Sequence, residues 1–161
     1  PSPEASPSPA PASPSPENTT SPGTLPATGI PGFPIGTSEQ QVVDRLGQPL
    51  KLRDGYWPNT EAARYDLLPG QVTLGYIYDR GTRRLRQTEV AFAQSVDSLV
   101  MRTTLNGLLE GRTTPEIETG LQEIYTRQAS RYPFQIGNLE GIIERNGSDR
   151  IYIAVWDTDL H

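Results

Sequence analysis

The sequence predicts an α+β domain carried on a flexible tether, and three observations predict it. Eleven of the 16 prolines fall within the first 34 of 161 residues. Beyond them, apolar residues recur at helical spacing in three capped segments. Between those segments lie runs of period-two alternation joined by tight turn signals. The expected architecture is an antiparallel sheet, a three-stranded meander plus a C-terminal hairpin, with about three helices on one face. Residues 1–34 form the expected disordered Pro/Ser linker and 35–161 a single folded domain.

The tether comes first. Residues 1–22, PSPEASPSPAPASPSPENTTSP, contain no Leu, Ile, Val or aromatic residue. Such a segment cannot bury enough apolar area to offset its ordering entropy. Proline-rich chain favours extended polyproline II, and about 34 residues at about 3.1 Å each could reach on the order of 100 Å. A Ser-Pro repeat without flanking Arg or Lys reads as linker rather than as a ligand for a proline-binding groove. The sequence opens without Met inside low-complexity chain, which suggests a piece of a longer protein.

The first helix is read from its caps. Ser38 is the expected N-cap, Gln41 completes a capping box, and Val42 and Leu46 share a face. Gly47 stops the helix and Pro49 forbids its resumption. An extended piece over Lys51–Trp57 can precede the meander. Ala62–Leu67, Val72–Asp79 and Leu85–Phe92 are its strands, with turns at Pro69-Gly70 and at Asp79-Arg80-Gly81-Thr82. Val72, Leu74, Tyr76 and Tyr78 alternate onto one face.

A second helix is expected over Val96–Leu109, with Ser95 as N-cap and an apolar stripe through Val96, Val100 and Leu108. The third starts at Thr114-Pro115, with Thr as N-cap and Pro at N1, and carries Ile117, Leu121 and Ile124. Leu139–Glu144 and Arg150–Trp156 close the chain as a hairpin around Asn146-Gly147.

Composition excludes several chemistries. The net charge of −5 argues against a nucleic-acid surface. Without cysteine there is no disulfide, thiol nucleophile or thiolate metal site. No apolar run reaches the length of a membrane-spanning helix, so no membrane insertion is expected. The single histidine is the terminal His161, which leaves a Ser-His-Asp triad without a held base. Phosphate-loop, dinucleotide and kinase catalytic motifs are absent from the sequence.

Asp66, Asp79 and Glu89 read as turn and face charges, with a carboxylate hydrolase as the remote enzymatic alternative. Asp157-x-Asp159-x-His161 reads as a polar tail rather than a metal cluster. No catalytic residue, metal or cofactor is assigned.

Two features invite a binding role. Tyr56-Trp57-Pro58-Asn59-Thr60 puts two aromatics in a loop between strands, either as a lid over the core or as an exposed platform. In the basic run Arg83-Arg84-Leu85-Arg86, alternation sends Arg84 and Arg86 to one face, either as a charged sheet edge or as an anion contact. The candidate binding residues are therefore Tyr56, Trp57, Asn59, Arg84 and Arg86, flanking one patch for an acidic or envelope-derived partner.

Two resemblances go beyond propensity. Gly36-x-Ser38-x-x-Gln41-Val42-x-x-x-Leu46-Gly47-x-Pro49 resembles the opening of SmpA/OmlA-type outer-membrane assembly lipoprotein domains. A longer likeness, covering nearly all of the folded part, is to the C-terminal domain of some cyanobacterial serine/threonine protein kinases. It runs through Ile30-Pro31-Gly32-Phe33-Pro34, Tyr56-Trp57-Pro58-Asn59-Thr60, Arg84-Leu85-Arg86-Gln87-Thr88-Glu89 and Arg150-Ile151-Tyr152-Ile153.

This second resemblance implies a non-catalytic regulatory or sensory module. Its parent kinase domain would lie in cis, and its partner would be an unknown protein or envelope ligand. The expected location is the extracytoplasmic, periplasmic side of a membrane-anchored parent, with the cytoplasm as the alternative. The first resemblance implies instead an envelope structural or assembly protein.

Overall fold

The computed structural model describes residues 32–160. The expected tether, as far as residue 31, and His161 lie outside them. The described chain runs α1 (Glu39–Leu46), β1 (Lys51–Asp54), β2 (Thr60–Leu68), β3 (Val72–Asp79), β4 (Leu85–Phe92), α2 (Ser98–Leu108), α3 (Pro115–Tyr125), β5 (Arg131–Ile136), β6 (Leu139–Arg145) and β7 (Ile151–Asp157). A short 3-10 turn, Thr158–Leu160, follows. The class is α+β, with one seven-stranded sheet in the order β1-β2-β3-β4-β7-β6-β5. Every neighbouring pair is antiparallel. No described helix is long and apolar enough to cross a membrane.

Local chemistry accounts for most element ends. Ser38 Oγ accepts the Gln41 amide at 3.2 Å, and Gln41 Oε1 accepts the Ser38 amide at 3.1 Å, which closes the capping box. The β2–β3 turn has Pro69 and Gly70 in its centre, with the Gln71 amide donating to Leu68 O at 2.8 Å and Gly70 at φ +79°. A positive φ at that position is the type II geometry for which glycine is favoured. Thr114 Oγ1 caps α3 by accepting the Ile117 amide, and Pro115 occupies the first turn.

Three expectations change. α2 starts at Ser98 and is capped by Asp97, not Ser95; the Asp97 carboxylate accepts the Leu99 amide at 2.8 Å. Val96 lies just outside the helix, buried like Met101 at the fourth helical position, the arrangement of a hydrophobic staple. Core packing also begins before residue 35. Phe33 is buried, with its ring edge-on to Tyr76 at 5.7 Å.

The third change is β5, a strand that the sequence analysis does not assign and that contains Pro133. Arg145 N donates to Ser130 O, so the antiparallel alternation points the backbone of Tyr132 and Phe134 toward β6 and turns Pro133 outward. A proline is tolerated on an edge strand when its missing N–H falls on the solvent side.

The apolar cluster lies on one face of the sheet. It unites Val72, Leu74, Tyr76 and Tyr78 of β3 with Val42 of α1, Met101 and Leu105 of α2, and Ile117, Leu121 and Ile124 of α3. None of the described helices packs on the opposite face, which carries the candidate site.

Candidate ligand-binding face

Alternation gives the open face a floor with small residues at its centre, Ala62 on β2, Gly75 on β3 and Ala91 on β4, and with Ile77 and Thr73 of β3 on either side of Gly75. With little side-chain bulk at its centre, the sheet forms a cleft of about 480 Å³. Lys51, Arg53 and Arg64 rim it on the β1–β2 side, Tyr56 overhangs it, and Glu89 with Tyr152 closes the far side. Gly75 keeps this floor low, since a Cβ there would come within 3.1 Å of Glu89 Oε1. A second depression shares Tyr56, Glu89 and Tyr152 with the first. It continues past Trp57 and Gln87 to Ile142, Ala154 and Trp156. The two form one groove across the middle of the sheet.

A line of hydrogen bonds organises its centre. Trp57 Nε1 donates to Gln87 Oε1 at 3.0 Å, and Gln87 Nε2 donates to Glu89 Oε2 at 2.6 Å. The Tyr152 phenol is held protonated well above its usual range, first by burial and then by the facing Glu89 carboxylate. Glu89 thus sits in the groove as an acceptor held by the Gln87 amide, with the Tyr152 phenol lining the same depression. Further along, Trp156 Nε1 donates to Glu140 Oε1 at 3.0 Å. The arrangement offers aromatic faces, a cationic rim and one oriented carboxylate.

The residues singled out from sequence divide. Tyr56 is 84% exposed and meets the half-buried Trp57 edge-on at 4.8 Å. Trp57 is therefore neither a core residue nor a free platform: one edge is fixed on β4 and the ring lines the groove. Asn59 takes φ +58° in the β1–β2 loop, and its carbonyl accepts the Arg80 amide at 2.9 Å. Arg84 donates to the Gly36 carbonyl at 2.9 Å, beside the start of α1. Arg86 lies 3.8 Å from Asp79.

The expected alternation of the two arginines is interrupted. Ile77 pairs with Gln87 and Tyr78 with Leu85, which makes Arg86 the extra residue of a bulge. Neither arginine lines the groove described above. The cations that do, Lys51, Arg53 and Arg64, were not singled out, and neither was Tyr152. A basic pair at i, i+2 on the extended Lys51–Asp54 segment was the one available signal.

The carboxylates weighed for hydrolysis are engaged separately. Asp66 lies 3.4 Å from Arg64 Nη2, and Asp79 Oδ2 accepts the Thr82 amide at 2.8 Å. Glu89 is bonded within the groove. Among the described residues, no three Asp, Glu or His side chains converge on a metal-sized site. Comparison of the chain with protein-family models, curated proteins and solved structures finds no match.

Proposed function

We propose that this domain is a non-catalytic binding or sensing module that receives its ligand on the open face of the sheet. The observation that carries the reading is the groove itself. A sheet face lined by Ala62, Gly75 and Ala91 leaves concave space where helices or large side chains would otherwise pack, and concave apolar space with a few oriented polar groups is what ligand sites offer. Tyr56 and Trp57 supply aromatic contact area at low entropy cost.

The resemblance to kinase C-terminal domains supports placing this module in cis with a serine/threonine kinase domain. On that reading it sits on the extracytoplasmic side of a membrane-anchored parent, where ligand occupancy would bias the kinase. The Gly36–Pro49 resemblance to SmpA/OmlA-type domains includes the Ser38 capping box and the Gly47 stop of α1, which are local helix signals and carry less weight here.

Both tryptophans of the chain line the groove, so intrinsic fluorescence reports on it directly. The test titrates the full 161-residue chain with anilinonaphthalene sulfonate, a flat apolar anion matched to the floor and the cationic rim. Saturable energy transfer from tryptophan is expected, weakened about tenfold by Tyr56→Ala combined with Arg53→Ala. Dye binding that ignores both substitutions would place the apolar site elsewhere and overturn the reading.

A further inference from the structure

The two outer edges of the sheet are treated differently. At β5 the outward positions are Arg131, Pro133 and Gln135, and the central one has no N–H to offer an added strand. At β1 no such block exists. The Gly55 amide donates to Thr60 O, so the ladder's alternation turns the N–H and C=O groups of Leu52 and Asp54 away from β2. β1 is also exposed along its whole length.

Its side chains are sorted by face. Leu52 is 50% exposed on the helix side, opposite Ala63 of the core, and Leu50, just before the strand with its amide donating to Arg64 O, is 66% exposed. Lys51 and Arg53 point to the open side, opposite Arg64 and Ala62. Of the four large apolar side chains exposed among the described residues, Leu50, Leu52 and Tyr56 lie at this edge and only Leu99 lies elsewhere. Surface apolar residues are ordinarily scattered.

We propose that β1 is a docking edge for an extended partner segment whose side chains alternate acidic and apolar. Added as an eighth strand, such a segment would set an apolar residue beside Leu52 and its carboxylates beside Lys51 and Arg53. Its backbone would take up the outward groups of Leu52 and Asp54. A second copy of the chain does not fit. Two-fold antiparallel pairing of β1 with itself about Leu52 or Arg53 would bring Lys51 opposite Arg53 or Arg53 opposite its own copy, and like charges in cross-strand pairs are destabilising. The chain's own residues 1–31 do not fit either: their acidic residues are Glu4 and Glu17, and Leu25 and Ile30 are their only large apolar ones. The proposal stands on the edge geometry and does not depend on what occupies the groove.

The test uses the full chain and three capped synthetic hexapeptides: Glu and Val alternating, Lys and Val alternating, and Glu and Val in two blocks of three. Binding is followed by fluorescence anisotropy and by amide hydrogen exchange. The alternating acidic peptide is expected to bind at least about tenfold more tightly than the other two, and to slow exchange at the Leu52 and Asp54 amides. Leu52→Pro removes one outward donor and no ladder bond, and should abolish that binding. Lys51→Glu with Arg53→Glu changes side chains only and should transfer the preference to the Lys–Val peptide. Absence of binding would overturn the proposal, as would equal affinity for the block peptide, an affinity indifferent to charge reversal, or protection at sites other than β1.

Discussion

Trp57 and Gln87 lie thirty residues apart and are joined by a 3.0 Å hydrogen bond that fixes the β1–β2 loop onto β4. Gln87 is 7% exposed, so the bond shields a buried amide as well as orienting the indole. Trp57→Phe keeps a ring in the groove but leaves the Gln87 carbonyl without this donor. It should cost about 1 kcal/mol of stability in urea unfolding. Tyr56→Ala removes an exposed ring and should stay within about ±0.5 kcal/mol. A loss above about 2 kcal/mol for Tyr56→Ala would show that the ring supports the fold rather than the groove.

The two apolar residues on the α1 face differ in weight. Val42 is fully buried, whereas Leu46 is only partly covered. Val42→Ala should cost about 1.5–3 kcal/mol, of the order of a full valine burial. Leu46→Ala should fall below about 2 kcal/mol, since a partly solvated site leaves little cavity. Removing the cap with Ser38→Ala should cost about 1 kcal/mol. Denaturation midpoints that reverse the order of Val42 and Leu46 would contradict this placement of α1.

Gly141 on β6 is enclosed from two sides. A Cβ there would come within 2.3 Å of Phe134 Cζ and 2.8 Å of the Ala154 carbonyl oxygen. The phenyl ring can turn aside, but the backbone of β7 cannot. Gly141→Ala should therefore destabilise by about 1–3 kcal/mol as overpacking, although Ala is otherwise the better strand residue. An unchanged melting temperature would show that the β5–β6–β7 corner is looser than the structure has it.

Acid should weaken the fold through two turn carboxylates. Asp79 is held below its ordinary range chiefly by the Thr82 amide, and Asp149 chiefly by its hydrogen bond to Arg127. A folded-state pKa below the unfolded one means stability that is fully present above the unfolded pKa, about 3.9, and is lost as pH falls through the lowered folded value. The melting temperature should hold from pH 7 to about 5 and drop below about 4. The double variant Asp79→Asn, Asp149→Asn should show a shallower acid slope. An identical slope would assign the acid loss to other groups.

Much of the fold was legible because local signals agreed with one another. The alternation from Val72 to Tyr78, the Pro69-Gly70 turn and the Ser38–Gln41 box each specify one geometry. The start of α2 was ambiguous because Ser95 and Asp97 are both good caps and Val96 between them is apolar. Only its burial as a staple separates the two. β5 was hidden because a proline inside a short apolar run argues against a strand, unless the tertiary fold places that run at an edge. The groove was half legible. Tyr56 and Trp57 stand out as aromatics in a loop, but Arg53, Arg64, Glu89 and Tyr152 come from four strands. Their convergence depends on register and on small side chains between them, which no single segment encodes.

If the open face of the sheet is the ligand face, a crystallographic fragment screen on the full chain will find its hits there. Fragments carrying a flat ring and an anionic group are predicted to be found between Tyr56 and Tyr152, with the anion toward Lys51, Arg53 and Arg64. A screen in which the groove stays empty while fragments collect against α1, α2 or α3 would show that the open face is not where the domain binds.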